Sequence, residues 1–255
     1  MTDRFVEFTA EQGVATLVLN RPPLNIMNIE MMEQINAAIL DLRGRRDVKV
    51  LVVRGKGAAF SAGIDVADRT KERVGRMLHV FHRIFESIRM LDVIAVAGVD
   101  GNAFGGGFEL AMGCNLVVAS ASARFGLPQV NLGHFPAYAC VVLPRAAPRR
   151  KAMEWILTGD EIPADELKAY GLVNRVFPDA EFEAGLSALV RDLTSRSGPV
   201  LSLAKRAQME SYYAAYEEAL SKAESLYLRE LMVLDDAREG IQAVLEERKP
   251  KWRDA

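Results

Sequence analysis

The sequence predicts an α/β fold with a helical C-terminal region. Three observations carry this. Short apolar runs of strand character alternate with amphipathic stretches at helical spacing. Two glycine-rich turns each join a buried strand to a helix. Beyond Pro199 the strand signals all but vanish.

Residues 13–20 read as a strand, stopped by Arg21-Pro22-Pro23. Asn28 is placed to cap the next helix, in which Met31, Met32, Ile35, Ala38, Ile39 and Leu42 recur at helical spacing. Residues 48–53 form a short apolar run, the mark of a buried strand. A second amphipathic helix puts Val74, Met77, Leu78, Phe81, Ile84, Phe85 and Ile88 on one side. Residues 93–99 are the next buried strand. Gly105-Gly106-Gly107 then opens a short helix over 108–113, and 116–119 returns as strand. Gly198-Pro199 is a helix start with proline in its first turn. From 201 to 248 the only glycine is Gly240, so the tail reads as helix until Pro250. The expected division is a core over 1–195 and a helical region over 196–255, the latter a lid or an oligomer contact.

Composition narrows the function classes. A chain of 255 residues, half of them apolar, supports a sizeable core. A formal net charge of −2 with dispersed basic residues argues against a nucleic-acid partner. The one basic concentration, Arg145, Arg149, Arg150 and Lys151, reads as a solvated loop and helix start. Cys114 and Cys140 lie in apolar surroundings and read as buried thiols rather than a disulfide framework. Charged residues stand within Met1-Thr2-Asp3-Arg4-Phe5-Val6-Glu7, where a signal peptide needs an apolar stretch. Residues 125–144 hold no Asp, Glu, Lys or Arg, but Pro128, Gln129, Asn131, Gly133, His134 and Pro136 make them a poor membrane span. They read instead as protein interior beside a ligand. A cytoplasmic protein with no membrane partner is expected.

The two turns carry the chemistry. The first is Phe60-Ser61-Ala62-Gly63-Ile64-Asp65; the second is Gly105-Gly106-Gly107-Phe108-Glu109. Consecutive glycines let backbone approach another group closely. N–H groups at a helix start have no intrahelical partner and carry the positive end of the helix dipole. Two such turns facing each other would put two donors on one oxygen, as a thioester carbonyl becoming an enolate requires. Tight strand-to-helix corners would use the same glycines. No nucleotide-phosphate spacing is present, because Leu110 fills the last place of G-x-G-x-x-G. Glu109, three residues after Gly106, is placed as a general base, or as a carboxylate complementing its own helix dipole.

Other candidates are weaker. His79 and His82 share a helix face, but no Cys or Asp cluster completes a metal site, and none is expected. His82 reads as a pocket-lining residue or a partly buried structural histidine. His134 adjoins the segment after Gln129 and is a candidate substrate contact, with Phe135 beside it. Asp65 reads as a helix-start cap or a ligand contact. No G-x-S-x-G segment marks a hydrolase serine.

Several segments resemble the crotonase (enoyl-CoA hydratase/isomerase) family in family order. Residues 60–65 resemble its F-x-A-G-x-D turn, and 101–111 its G-x-x-x-G-G-G-x-E-L-A segment. Residues 125–133 resemble F-G-x-P-E-x-x-x-G; Leu157-Thr158-Gly159 and Gly171-Leu172-Val173 resemble later elements. The resemblance covers nearly the whole chain. It implies a ββα spiral core, a helical C-terminal oligomerisation region, homotrimers or homohexamers, CoA thioester substrates, and no cofactor beyond the CoA of the substrate. Carried over by position, the oxyanion-hole N–H groups fall on Ile64 and Gly106, and the first catalytic glutamate on Glu109. The second falls on Gln129, a departure, since an amide cannot act as an acid but can orient water. Asn25, Ile26, Ala62, Gly63, Asp65, Gly105, His82, His134 and Phe135 are the implied CoA and substrate contacts. Two further departures are Ala67, where the family often has lysine, and Glu247, where it has a phosphate-binding lysine. Arg248, Lys249 and Arg69 are candidates to replace them. Within the family the resemblance is greatest to the cyclohexa-1,5-diene-1-carbonyl-CoA hydratases, through segments 21–25, 29–32, 77–85, 133–136 and 142–145. Where common hydratases have P-G-x-G-G, this chain has Pro136-Ala137-Tyr138-Ala139-Cys140, which implies a different acyl group. Another crotonase reaction (enoyl-CoA hydration, isomerisation, decarboxylation or C–C hydrolysis) and a non-catalytic CoA- or RNA-binding relative are the alternatives.

Overall fold

The structure, a computed structural model, describes residues 4–212, 227 and 229–253. Two sheets meet at their sides. The larger has six strands in the order β1 (Val6–Glu11), β2 (Val14–Leu19), β3 (Val50–Gly55), β5 (Ile94–Val99), β7 (Leu116–Ser120) and β10 (Arg175–Phe177). Only β1 runs antiparallel to its neighbour. The smaller sheet stacks three-residue strands β4 (Ala59–Ser61), β6 (Asn102–Phe104) and β8 (Arg124–Gly126), with β9 (Ile162–Pro163) at its edge.

Three successive units run long strand, short strand, helix. Strands β3 and β4 lead to α2 (Val74–Met90), β5 and β6 to α3 (Gly106–Gly113), and β7 and β8 to α4 (Ala137–Ala146). This is the ββα spiral implied by the resemblance. Strands β3 and β5 are continuous apolar runs because both faces of the sheet are covered. In β3, Leu51 and Val53 face the main core, while Val50 and Val52 face Phe182, Leu186 and Leu189 of α7 (Phe182–Thr194).

On the main-core face, α1 (Ile29–Leu40) packs against α2, and Asn36 Nδ2 donates to the Val80 carbonyl at 2.9 Å. Asn28 caps α1, its side chain accepting from Met31 N–H at 3.0 Å. A chain of charges fixes the segment between the first turn and α2. Asp68, 2% exposed, accepts from Ile29 N–H at 2.8 Å and pairs with Arg73 at 2.7 Å. Asp65 pairs with Arg21 at 3.0 Å.

The remaining helices are α5 (Arg149–Thr158), α6 (Ala164–Ala169), α8 (Gly198–Ser211) and α9 (Asp235–Leu245). Ser197 caps α8 by accepting from Val200 N–H. Lys205 of α8 donates to the carbonyls of Ile88, Leu91 and Val93 at 2.9, 2.9 and 3.0 Å. A cation thereby satisfies the orphan acceptors at the C-terminal end of α2. The expectation of helix through the tail falls partly on 213–226 and 228, and that on the chain start partly on 1–3, all outside the described residues.

Residues 125–144 depart from expectation. Phe125, Leu127, Gln129, Ala139 and Leu143 are interior, but Leu132 is 56% exposed, Phe135 69% and Val141 51%. The charge-free run is part interior and part exposed apolar surface. Strand β1 and the short strands escaped the sequence reading, since three residues are too few to show a period. Among the described residues, no helix is long and apolar enough to cross a membrane.

Candidate active site

The two glycine-rich turns pack directly on each other. The first is held by a single parallel bridge between Met27 and Ile64. Met27 donates to the Gly63 carbonyl at 2.7 Å, and Asp65 N–H donates to the Met27 carbonyl at 2.9 Å. Ladder bonds of this kind use the residues flanking Ile64, so the N–H of Ile64 points to the opposite side. The three glycines of the second turn do separate work. Gly105 has φ 52° and ψ −121°, a conformation that side chains avoid. A Cβ on Gly106 would lie 2.7 Å from Ile64 Cγ1 and 3.3 Å from the Phe81 ring. A Cβ on Gly107 would lie 2.2 Å from the Ser61 carbonyl oxygen. Gly106 is the first residue of α3, so its N–H has no intrahelical acceptor. Gly63, with φ 112°, abuts the backbone of 104–106. The N–H groups of Ile64 and Gly106 therefore stand together at one helix start.

Glu109, one turn into α3, is 3% exposed. It does not complement its own helix at the surface. Its Oε1 accepts from Ala139 N–H at 3.0 Å, its Oε2 from Gln129 Nε2 at 3.2 Å, and Tyr138 N–H also reaches it. The Ala139 and Tyr138 groups belong to the first turn of α4, so a second helix N-terminus holds the carboxylate. Burial pushes its pKa from 4.5 up to about 7, against those N–H groups, the Arg69 charge and the Gln129 amide, which pull it down. Gln129, also 3% exposed, keeps its Oε1 buried with no partner among the described residues. The result is a buried carboxylate with its pKa near neutrality beside the N–H groups of Ile64 and Gly106.

The wall is aromatic. Tyr138 stacks on Phe85 with ring centroids 3.7 Å apart and planes 16° apart. Phe85 meets Phe81 edge-on at 4.8 Å. His82, half-buried, lies 6.2 Å from Phe81 and 6.3 Å from Phe85, and burial lowers its pKa against the opposing Glu86 charge. Cys140, half-buried, has its thiol pKa raised by burial and by the Glu109 charge, which sets it beside the base.

Other sequence candidates receive different jobs. Asn25 is fully buried, and its side chain is spent on Arg21 N–H at 3.0 Å and the carbonyls of Lys56 and Ala59 at 3.0 and 2.8 Å. It braces the loop. Asp65 is likewise spent, accepting from Ala67 N–H at 3.1 Å and pairing with Arg21. Ile26 lends its carbonyl to Arg21 at 2.8 Å and Ala62 its N–H to Leu24 at 2.9 Å. His134 and Phe135 are exposed, on a loop tied to the Gln129 carbonyl by the N–H groups of Gly133 and His134, the latter at 3.0 Å. His79 is exposed, and among the described residues no group of three or more His, Cys, Asp or Glu is placed for a metal. Sequence reasoning missed the two α4 N–H donors. Pro136 immediately before α4 was the available signal for a helix start at that place.

Comparison with known proteins gives a consistent picture. A model described as enoyl-CoA hydratase/isomerase matches residues 9–255. The human mitochondrial enoyl-CoA hydratase domain-containing protein 3 is 34% identical over 249 residues, 94% of this chain and 80% of the human protein. Its crystal structure superposes with TM-score 0.93 at 31% identity, covering 98% of this chain and 100% of the other. A probable enoyl-CoA hydratase of Bacillus subtilis is 31% identical over 97% of this chain and 98% of its own length.

Proposed function

Since the chain belongs to the enoyl-CoA hydratase/isomerase family, we propose that it is a hydro-lyase for an unsaturated cyclic acyl-CoA of the cyclohexa-1,5-diene-1-carbonyl-CoA type. Enoyl-CoA hydratase-like chemistry on a CoA thioester is the general activity; the cyclic diene is the narrower reading. The observation that carries it is Glu109, one buried carboxylate poised near neutrality beside the N–H groups of Ile64 and Gly106. The stacked Phe85–Tyr138 pair, with Ala137, Ala139 and Cys140 around it where common hydratases have glycines, supports a flat ring as the acyl group.

In the proposed reaction the thioester oxygen accepts from Ile64 and Gly106 N–H. Glu109 takes a proton from water as the water oxygen bonds to the β-carbon of the conjugated system. The electron pair of the C=C bond moves toward the thioester, and the enolate oxygen is held in the hole. Each donor there is worth ~3 kcal/mol of barrier. Protonation of the carbanionic carbon, by the carboxyl group of Glu109 or by water held at Gln129, completes addition of H and OH. Gln129 Oε1, which has no protein partner among the described residues, suits an acceptor for one hydrogen of that water. These steps use side chains and backbone N–H groups alone, with CoA entering only as part of the substrate.

Turnover of the diene thioester against crotonyl-CoA, followed by ultraviolet absorbance, tests the reading. Faster turnover of the diene supports it. Preference for crotonyl-CoA overturns the cyclic acyl group, and inertness toward both favours isomerisation, decarboxylation or C–C hydrolysis, which a lone carboxylate also serves. Assembly as a homotrimer or homohexamer is part of the proposal, supported by the apolar ridge of Leu132, Phe135 and Val141. A monomer by light scattering in dilute solution counts against it. Residence in the cytoplasm is proposed as well, although relatives include mitochondrial proteins.

A further inference from the structure

The two N–H donors of the site are backed in different ways. Gly106 opens α3, and the carbonyl at the other end of its peptide group, that of Gly105, accepts from Glu109 N–H at 3.0 Å. The helix therefore stands behind that donor. Ile64 has no α-helix behind it; the 3₁₀ turn Val66–Arg69 follows, with Asp65 as its cap. What stands behind Ile64 N–H is a row of peptide groups. In a trans peptide the C=O and the N–H point in opposite directions. The peptide carrying Ile64 N–H is trans and has the Gly63 carbonyl at its other end, which accepts from Met27 N–H at 2.7 Å. The peptide carrying Met27 N–H is trans as well and has the Ile26 carbonyl at its other end, which accepts from Arg21 Nη1 at 2.8 Å. The row starts at a guanidinium and ends at the donor. Asp65 aims the guanidinium, its Oδ2 accepting from Arg21 Nη2 at 3.0 Å. Met27, Gly63 and Ile64 are buried, so water does not compete along the row.

We propose that Arg21 is a positioning residue, a fixed cation that polarises Ile64 N–H through the 26–27 and 63–64 peptide groups and strengthens it as an oxyanion donor. The first bond of the row is charge-assisted, and each bond polarises the next. Arg21 thus does for the first turn what the dipole of α3 does for the second. The role rests on the N–H groups of Ile64 and Gly106 receiving the thioester oxygen, as proposed above, and not on the identity of the acyl group.

The test reads the donor directly. Cyclohexanecarbonyl-CoA and butyryl-CoA, each labelled with ¹³C at the thioester carbonyl, have no C=C bond to hydrate, and using both makes the reading independent of the acyl group. Their C=O stretch is recorded by infrared difference spectroscopy, free and bound to wild type, Arg21→Gln and Asp65→Asn. The values of kcat and KM are measured alongside, with the faster of the diene thioester and crotonyl-CoA. On wild type the band should fall in frequency. Arg21→Gln should lose roughly 10–30% of that fall. It should also lower kcat ~10-fold, part of the ~100- to 1,000-fold that loss of a whole donor costs, with KM little changed. Asp65→Asn breaks the same ion pair but leaves the cation on the Ile26 carbonyl, so it should keep the full fall or deepen it. If Arg21 merely braced the turn, both variants would lose the fall alike, and that result overturns the proposal. So does a band that Arg21→Gln leaves in place. Should Arg21→Gln not fold, Asp65→Asn decides alone, a band moved back toward the free frequency being the refutation. No fall on wild type would overturn the donor assignment and this role with it, whereas a wild-type fall with the wrong variant pattern overturns the role of Arg21 only.

Discussion

Gln129→Glu separates this site from a two-carboxylate hydratase. Gln129 Nε2 stands 3.2 Å from Glu109 Oε2, and both residues are 3% exposed. The substitution replaces a hydrogen bond to the carboxylate by a like charge. At an effective dielectric of ~20 and charge separations of ~3–5 Å, the repulsion is about 3–5 kcal/mol. That corresponds to ~2–4 pH units between the first and second ionisation of the pair. Glu109 already titrates at about 7, so the pair retains one proton well above neutrality, part of the time on the base. The assay is kcat/KM for the diene thioester and for crotonyl-CoA across pH. We expect the wild-type profile to rise through a single inflection near 7, because the deprotonated base is the active form. In the variant the rise should move to higher pH, with the neutral-pH rate on the diene reduced ~10-fold or more. A variant faster on the diene, with an unshifted profile, would refute the reasoning and make Gln129 a drifted position.

Glu109→Gln should cost ~100- to 10,000-fold in turnover while thioester binding by calorimetry persists; near-full activity would make the carboxylate structural. The same variant should be the more stable protein at alkaline pH. The folded pKa of about 7 lies above the ordinary carboxylate value of 4.5, so the folded state binds more protons between them and stability falls as pH rises through that window. Above it the accumulated cost in wild type is about 3 kcal/mol, so the gap in denaturant midpoint between variant and wild type should open across the window and then stay constant. A gap independent of pH would contradict this. Tyr138→Gly should remove the ring stacked on Phe85 and shift preference from the cyclic thioester toward crotonyl-CoA in competition assays. An unchanged ratio would mean that the stacked pair does not touch the acyl group.

Much of this was legible in the residues. Long apolar strands announce themselves because both faces are covered, as in β3 and β5. Asn28 declared its helix start because a cap is a local event, settled within four residues. The triple glycine and Glu109 were legible as a strand-to-helix corner because they are contiguous in the chain. The bracing role of Asn25 was not legible, since its partners at Lys56 and Ala59 lie 31 and 34 residues away and no local pattern reveals them. The approach of the α4 N-terminus to Glu109 likewise depends on tertiary packing of separate units. The ridge at Leu132 and Phe135 misled because an apolar run looks the same whether it faces a core or awaits another surface.

The three consecutive glycines differ in how far they can vary. At Gly107 the obstacle to a side chain is the Ser61 carbonyl, which is backbone, so no exchange of residue 61 can make room. At Gly106 the nearest obstacle is the side chain of Ile64, which a smaller residue would withdraw. Position 107 should therefore be frozen across relatives that keep this corner, whereas 106 and 64 should covary, a bulkier 106 appearing only with a trimmed 64. Because the proposed reaction draws on the backbone of both residues, such paired exchange would preserve the two donors while reshaping the space above them. Variation in acyl preference has a route there that leaves the chemistry untouched.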